Sequence, residues 1–214
     1  MGIVIPEKVI YSSYQEFEEQ KRLCKACSVG SDYNCVVCSD GCKEKPIVMV
    51  VGEAAGQTET EIGKPFVGKA GKLLRSKLNK FGFRTHNTII TNVIPCRPLN
   101  NKFPDDTKMV QECVNRWLAI EISILKPKFI ILLGNQPLKY VLGQSGITSN
   151  RGIWYEHCGI KIMPTYHPSY VIRKLNMSDG ADIEAEFEMD LREVAVAANF
   201  FHPENLTGVT CVVS

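Results

Sequence analysis

Ile47-Val48-Met49-Val50-Val51 runs without a polar break into Gly52-Glu53-Ala54-Ala55-Gly56, and the reading of this stretch decides the fold. Three more stretches repeat the pattern. Thr88–Thr91 leads into Asn92, Phe129–Leu133 into Gly134-Asn135, and Ile160–Met163 into Pro164-Thr165-Tyr166-His167-Pro168-Ser169. Short apolar runs separated by helix-length segments read as parallel strands covered on both faces. The expected fold is α/β, three layers (α/β/α) around a central, mainly parallel four-stranded sheet. In open sheets of this kind ligands bind at the carboxyl ends of the strands. One site lined by Glu53, Asn92 and His167 is therefore expected.

Working outward, Ser13-x-x-Glu16 forms a capping box, so a short helix should run through Lys21 towards Cys24. Residues 28–46 read as a polar loop and 52–69 as a loop with four glycines and one proline. A helix follows over about 70–81 with apolar Leu73, Leu74, Leu78 and Phe81. Asp105 or Asp106 caps a long helix to about Leu125, stopped before Pro127, and Asn135 caps a shorter one over 136–142. The last helix starts after Asp182, with Ile183, Phe187, Leu191, Val194, Ala198 and Phe201 on its 3.6-residue period. Residues 1–214 read as a single domain, the cysteine-rich segment 24–42 packed on it and the tail 202–214 unassigned.

A net charge of +2 over 214 residues excludes a strongly basic nucleic-acid binder, so any such contact must come from a local patch. The apolar runs fall far short of the roughly 20 residues a membrane helix needs. The N-terminus has no basic, apolar leader pattern. A cytoplasmic, nucleoid-associated monomer is expected. Nine cysteines is a high count, and such a location favours metal or redox use over disulfides. Five are crowded as Cys24-x2-Cys27 and Cys35-x2-Cys38-x3-Cys42; Cys96, Cys113, Cys158 and Cys211 stand apart. Cys24, Cys27, Cys35 and Cys38 form a paired zinc pattern, although the seven-residue spacer is shorter than the usual gap.

Gly52-Glu53-x-x-Gly56 alone is a plain strand-to-helix turn; it has neither dinucleotide-binding nor Walker spacing. Its extension, Gly63-Lys64-Pro65-Phe66-Val67-Gly68-Lys69-Ala70-Gly71-Lys72, is more telling. A phenylalanine between glycines and lysines is an unexpected core residue, and its face suits a planar base. With Thr91-Asn92-Val93-x-x-Cys96-Arg97-Pro98 and His167-Pro168-Ser169-Tyr170-Val171-Ile172-Arg173, this stretch resembles the family 4, iron–sulfur uracil-DNA glycosylases known from thermophiles. Arg151-Gly152-x-Trp154-Tyr155 is similar to theirs too, and the motifs keep their order over roughly residues 14–200.

The resemblance implies an enzyme that flips uracil out of DNA and hydrolyses its N-glycosidic bond, leaving an abasic site. It implies a [4Fe–4S] cluster on Cys24, Cys27, Cys96 and Cys113. It implies that His167 donates to uracil O2 as the bond breaks, with Glu53 and Asn101 the other catalytic candidates, at the loop amides and at the water. Ala54, Glu59, Phe66 and Asn92 become the expected substrate contacts. Asn92 can offer its amide donor and acceptor to O4 and N3–H, a pattern cytosine reverses. Ala54 stands where other glycosylase families place an aspartate base, Ala55 replaces a usual proline, and Thr60 a usual aspartate.

Uracil-containing DNA, single- or double-stranded, is the expected partner. Lys64, Lys69, Lys72, Arg97, Lys102, Arg173 and Lys174 fall in or beside the strand-end loops and suit phosphates. Ser169 to Ile172 resembles the wedge that fills the gap left by a flipped base. A non-catalytic or covalently trapping uracil-DNA-binding relative is the alternative.

Overall fold

The computed structural model describes residues 2–27, 29 and 36–202. Cys35, Cys211 and the tail from 203 lie outside the described residues. The four expected strands form the parallel centre of a sheet: β2 (Val48–Ala54), β3 (Thr88–Ile94), β4 (Phe129–Leu133) and β6 (Ile160–Thr165). Two short antiparallel edge strands, β1 (Asp40–Gly41) and β5 (Tyr155–His157), extend it to six, in the order β1-β3-β2-β4-β6-β5. This corrects the four-stranded expectation. The edge strands carry two and three residues and little apolar periodicity, so no strand signal marks them. Cys158 and Gly159 both take positive φ, 51° and 74°, and make the two-residue turn from β5 to β6.

Alternating residues of each central strand feed two cores. Met49, Val51, Ile89, Val93, Ile130, Leu132 and Ile162 point to one face. There they meet the helix Tyr14–Arg22, the long helix over 107–125 and the helix over 135–142. Val48, Val50, Ile90, Ile131, Leu133 and Met163 point to the other, against helices Lys69–Lys80, Pro168–Lys174 and Gly180–Ala197. The three layers are present, because a strand buried on both sides must be apolar at every position.

The capping box holds in altered form. Ser13 accepts from Glu16 N, but the Glu16 carboxylate turns back to Ser12 rather than to Ser13. The long helix starts after Asp106, whose carboxylate accepts from Lys108 N and Met109 N, and passes through a π turn at Val114–Leu118. Three expectations are corrected. Gln57–Ile62 is a helix inside the supposed 52–69 loop, Gly134 rather than Asn135 caps the helix after β4, and the last helix opens at Gly180. Among the described residues, no helix is long and apolar enough to cross a membrane.

Candidate active site

β2, β3, β4 and β6 end at one edge of the sheet, and a cavity of about 630 Å³ opens there. Glu53, Ala54, Asn101, His167, Ser169 and Arg173 line it, so six of the candidate residues come together from three separate segments.

Asn92 and Phe66 stand behind that wall and close together over Gly52. A Cβ on Gly52 would lie 2.4 Å from both Asn92 Oδ1 and the Phe66 ring, so the strand end must be glycine for the two to converge. Asn92 is 5% exposed, and its Oδ1 is buried without a hydrogen-bond partner among the described residues. Buried acceptors are nearly always satisfied, so an unsatisfied one in a binding wall needs a reason. Phe66 is 6% exposed and does pack into the core, contrary to expectation, while its ring centroid lies 6.0 Å from that of His167.

Phe66 holds a left-handed backbone, φ 54°. Such a conformation persists in a bulky residue only if its surroundings enforce it. Here Arg75 donates Nε to Phe66 O and Nη2 to Pro65 O, both at 2.8 Å. The Glu59 carboxylate accepts from Val67 N and Gly68 N at 2.9 and 2.8 Å. Glu59 therefore positions the Phe66 loop and does not line the cavity. Gly71 lets the following helix press against the Phe66 backbone, since a Cβ there would lie 2.0 Å from its carbonyl carbon.

His167 caps the helix Pro168–Lys174: Nδ1 accepts from Ser169 N at 3.2 Å and faces Ser169 Oγ at 2.7 Å. An Nδ1 that accepts leaves the neutral ring's proton on Nε2, which thus becomes a donor. Burial, and secondarily the Arg173 cation, push the imidazole pKa down to about 4. Burial alone pushes the Glu53 carboxyl above its ordinary value. Asn101 takes φ 55° and accepts from Arg97 Nε at 2.8 Å. The site thus holds a neutral donor, a carboxylate of raised pKa, and a buried amide beside an aromatic ring. It suits a planar, uncharged imide that becomes an anion on leaving.

Lys64, Lys69 and Lys102 are exposed and lie outside the cavity lining. Lys64 stands 4.0 Å from Asp40, and Lys102 pairs with Asp105 at 2.7 Å. Ser169 to Ile172, the expected wedge, lies in the helix Pro168–Lys174, with Val171 fully buried and Ile172 half-buried. Pro98, Gln136, Tyr166 and Tyr170 also line the cavity, as do Ile147 and Thr148. The tyrosines sat unremarked inside a quoted motif. Ile147 had no signal, being recruited by its amide, which donates to Asn135 Oδ1 at 2.8 Å.

Among the described residues, no three His, Cys, Asp or Glu stand close enough to hold a single metal ion. The Cys113 thiol is nonetheless pushed up to about 12, first by burial and then by Cys96, Cys27 and Cys24, so the four sulfurs share one neighbourhood. Cys38 packs against Cys96 and Cys24, with its Sγ 4.0 Å from Glu18 O.

A model of the uracil DNA glycosylase superfamily matches residues 38–192. The curated type-4 uracil-DNA glycosylase of Sulfurisphaera tokodaii is 34% identical over 194 residues, 86% of this chain and 86% of that relative. The one from Thermotoga maritima is 37% identical over 158 residues, 72% of this chain and 81% of its own. The one from Pyrobaculum aerophilum is 35% identical over 186 residues, covering 83% and 90%.

Proposed function

The chain belongs to the uracil DNA glycosylase superfamily, and on that premise we propose that it hydrolyses the N-glycosidic bond of uracil in DNA. The product is an abasic site, and the whole chain is read as one domain serving this reaction. The observation that carries the reading is the buried, unpartnered Oδ1 of Asn92 beside Phe66. Uracil N3–H is a donor that completes it, whereas cytosine N3 is a lone pair that repels it. Phe66 supplies the ring at the end of the site.

His167 acts on the other carbonyl. As the C1′–N1 bond breaks, its electron pair passes to uracil, and negative charge develops on O2. A fixed Nε2–H aimed there stabilises the anion more than the neutral base, so it lowers the barrier rather than tightening binding. A neutral imidazole suffices, since the leaving group is already good. Water then attacks the oxocarbenium-like C1′. We assign the water's proton to the Glu53 carboxylate and the water's orientation to Asn101.

For the cofactor, the thiols of Cys24, Cys27, Cys96 and Cys113 fit a [4Fe–4S] cluster. Four thiolates around a cubane stand farther apart than four around one ion, and they need a cationic centre to ionise together. When bound, the cluster supplies a cross-link rather than a reaction step. Cys96 opens the segment that carries Pro98 and Asn101 into the cavity. Lys64, Lys69, Arg97, Lys102 and Arg173 are assigned to DNA phosphates.

The test is single-turnover release of uracil from an oligonucleotide, run against thymine, hypoxanthine and cytosine substrates. Uracil should be released and cytosine not. His167→Ala should lose about 10²–10³ in rate while DNA affinity changes far less. A covalent adduct in place of free uracil would replace hydrolysis with trapping. A His167→Ala protein cleaving at the unsubstituted rate would remove His167 from the mechanism.

A further inference from the structure

Arg151 opens the motif Arg151-Gly152-x-Trp154-Tyr155 but does not line the cavity, and the reaction as described gives it no part. Its side chain, 11% exposed, turns inward to the helix Gly180–Ala197. Nε donates to Asp190 Oδ2 at 2.9 Å, while Nη2 pairs with Asp190 Oδ1 and donates to Glu186 O at 3.0 Å. Asp190 is 1% exposed, and its Oδ2 also accepts from Thr165 Oγ1 at 2.6 Å. Thr165 is fully buried, ends β6, and stands two residues before His167. Its carbonyl accepts from Gly134 N at 2.9 Å, and a Cβ on Gly134 would lie 3.0 Å from His167 Cβ. Tyr166 OH donates to Glu186 Oε2 at 2.9 Å, and the Arg151 guanidinium stands 5.5 Å from the Tyr166 ring centroid. Gly152 N donates to Pro164 O at 3.0 Å. Each of the three residues leading to His167 is thus fastened to Arg151-Gly152 or to the last helix.

We propose that Arg151 and Asp190 are positioning residues for His167. The guanidinium fork fixes the Asp190 carboxylate, the carboxylate fixes the Thr165 hydroxyl, and the end of β6 thereby holds His167 where its Nε2–H meets uracil O2. This rests on the proposed glycosylase function and names the residues that aim its donor. A plain tie between strand and helix is the competing account, and apolar side chains would serve it at no loss of stability, since a buried ion pair barely repays its desolvation. What the bidentate fork adds is direction. Direction matters here because a misplacement of about 1 Å at a reacting group can cost about 10² in rate. The pair touches neither base nor water, so it acts only through the histidine.

The experiment is a double-mutant cycle with His167→Ala, read as single-turnover uracil release from an oligonucleotide. Affinity is measured alongside on an oligonucleotide carrying 2′-fluoro-2′-deoxyuridine, whose glycosidic bond resists cleavage. Thr165→Val removes the hydroxyl at nearly constant shape and should lower the rate about tenfold. Its affinity should stay within about twofold, and in the His167→Ala background the further loss should also be under about twofold. Thr165→Ser keeps the hydroxyl and should keep the rate. Arg151→Lys keeps the charge without the fork and should follow Thr165→Val in both backgrounds. It carries the same test should Thr165→Val fail to fold. Losses of equal factor with and without His167 would make the network a structural tie and overturn the proposal. Unchanged rates in Thr165→Val and Arg151→Lys would overturn it as well. Failure of unsubstituted protein to release uracil is a separate result, which refutes the glycosylase reading itself.

Discussion

At the scale of single residues, His167 and Glu53 are separated by what burial does to each. Burial disfavours the charged form of both, lowering the imidazole pKa to about 4 and raising the carboxyl. His167 is therefore mostly neutral at pH values well above 4. Protonation below that would put a hydrogen on Nδ1 and break the cap to Ser169 N. The unfolded ring takes its proton near pH 6.5, so stability falls as pH drops from there towards 4 and is undiminished above. Any acid limb in the pH–rate profile above the ordinary glutamate range then belongs to Glu53, which must be ionised to accept a proton. We expect such a limb, rate falling as pH falls, and expect Glu53→Gln to abolish it with a loss of about 10²–10⁴ in rate. A limb that survives in Glu53→Gln would assign the base elsewhere. Both residues were legible because each sits in the ending that follows an apolar run. The backbone strain at Phe66 was not legible, since it is imposed by Arg75, Glu59 and Gly71 acting together.

At the scale of elements, the sequence showed those that bury continuous apolar faces. The central strands have every residue from Val48 to Gly52 and from Thr88 to Ile94 buried, which a periodicity argument can see. Gln57–Ile62 buries no residue at all, so its helix rests on local hydrogen bonds and leaves no pattern. Equally hidden was how the N-terminal helix is fastened. Lys21, 2% exposed, donates to Glu121 Oε2 at 2.9 Å, while Tyr14 and Ser39 donate to Oε1 at 2.7 and 2.5 Å. Burial works against both charges, yet each partner holds the other ionised, Lys21 raised and Glu121 lowered. Removing one member strands the other in the core. Lys21→Met should therefore cost about 3–5 kcal/mol in denaturant unfolding, and Lys21→Met with Glu121→Leu should recover much of it. A single variant as stable as the unsubstituted protein would show that water reaches Glu121.

At the scale of the whole molecule, the sheet explains where the site is, and the proposed cluster would fix its rim. Cys24 and Cys27 follow the first helix, Cys96 follows β3, and Cys113 ends the first stretch of the long helix. These segments are far apart in sequence, and they come near one another because the first and long helices cover the same face of the sheet. Spacing alone could not separate this set from Cys24, Cys27, Cys35 and Cys38; that the thiols acting on Cys113 are Cys96, Cys27 and Cys24 favours the first. If these four hold the cluster, Cys113→Ser should yield colourless protein with little iron or sulfide, whereas Cys158→Ser, at an exposed hairpin turn, should keep both. A loss of about 3 kcal/mol, modest beside what structural metal sites supply, lowers the thermal midpoint by about 6–12 °C in a chain of this size. Uracil release should fall with it, because the turn carrying Pro98, Leu99 and Asn101 begins at Cys96. A Cys113→Ser protein that keeps full iron, while Cys38→Ser loses it, would transfer the cluster to the N-terminal cysteines and leave the cavity rim held by its hydrogen bonds alone.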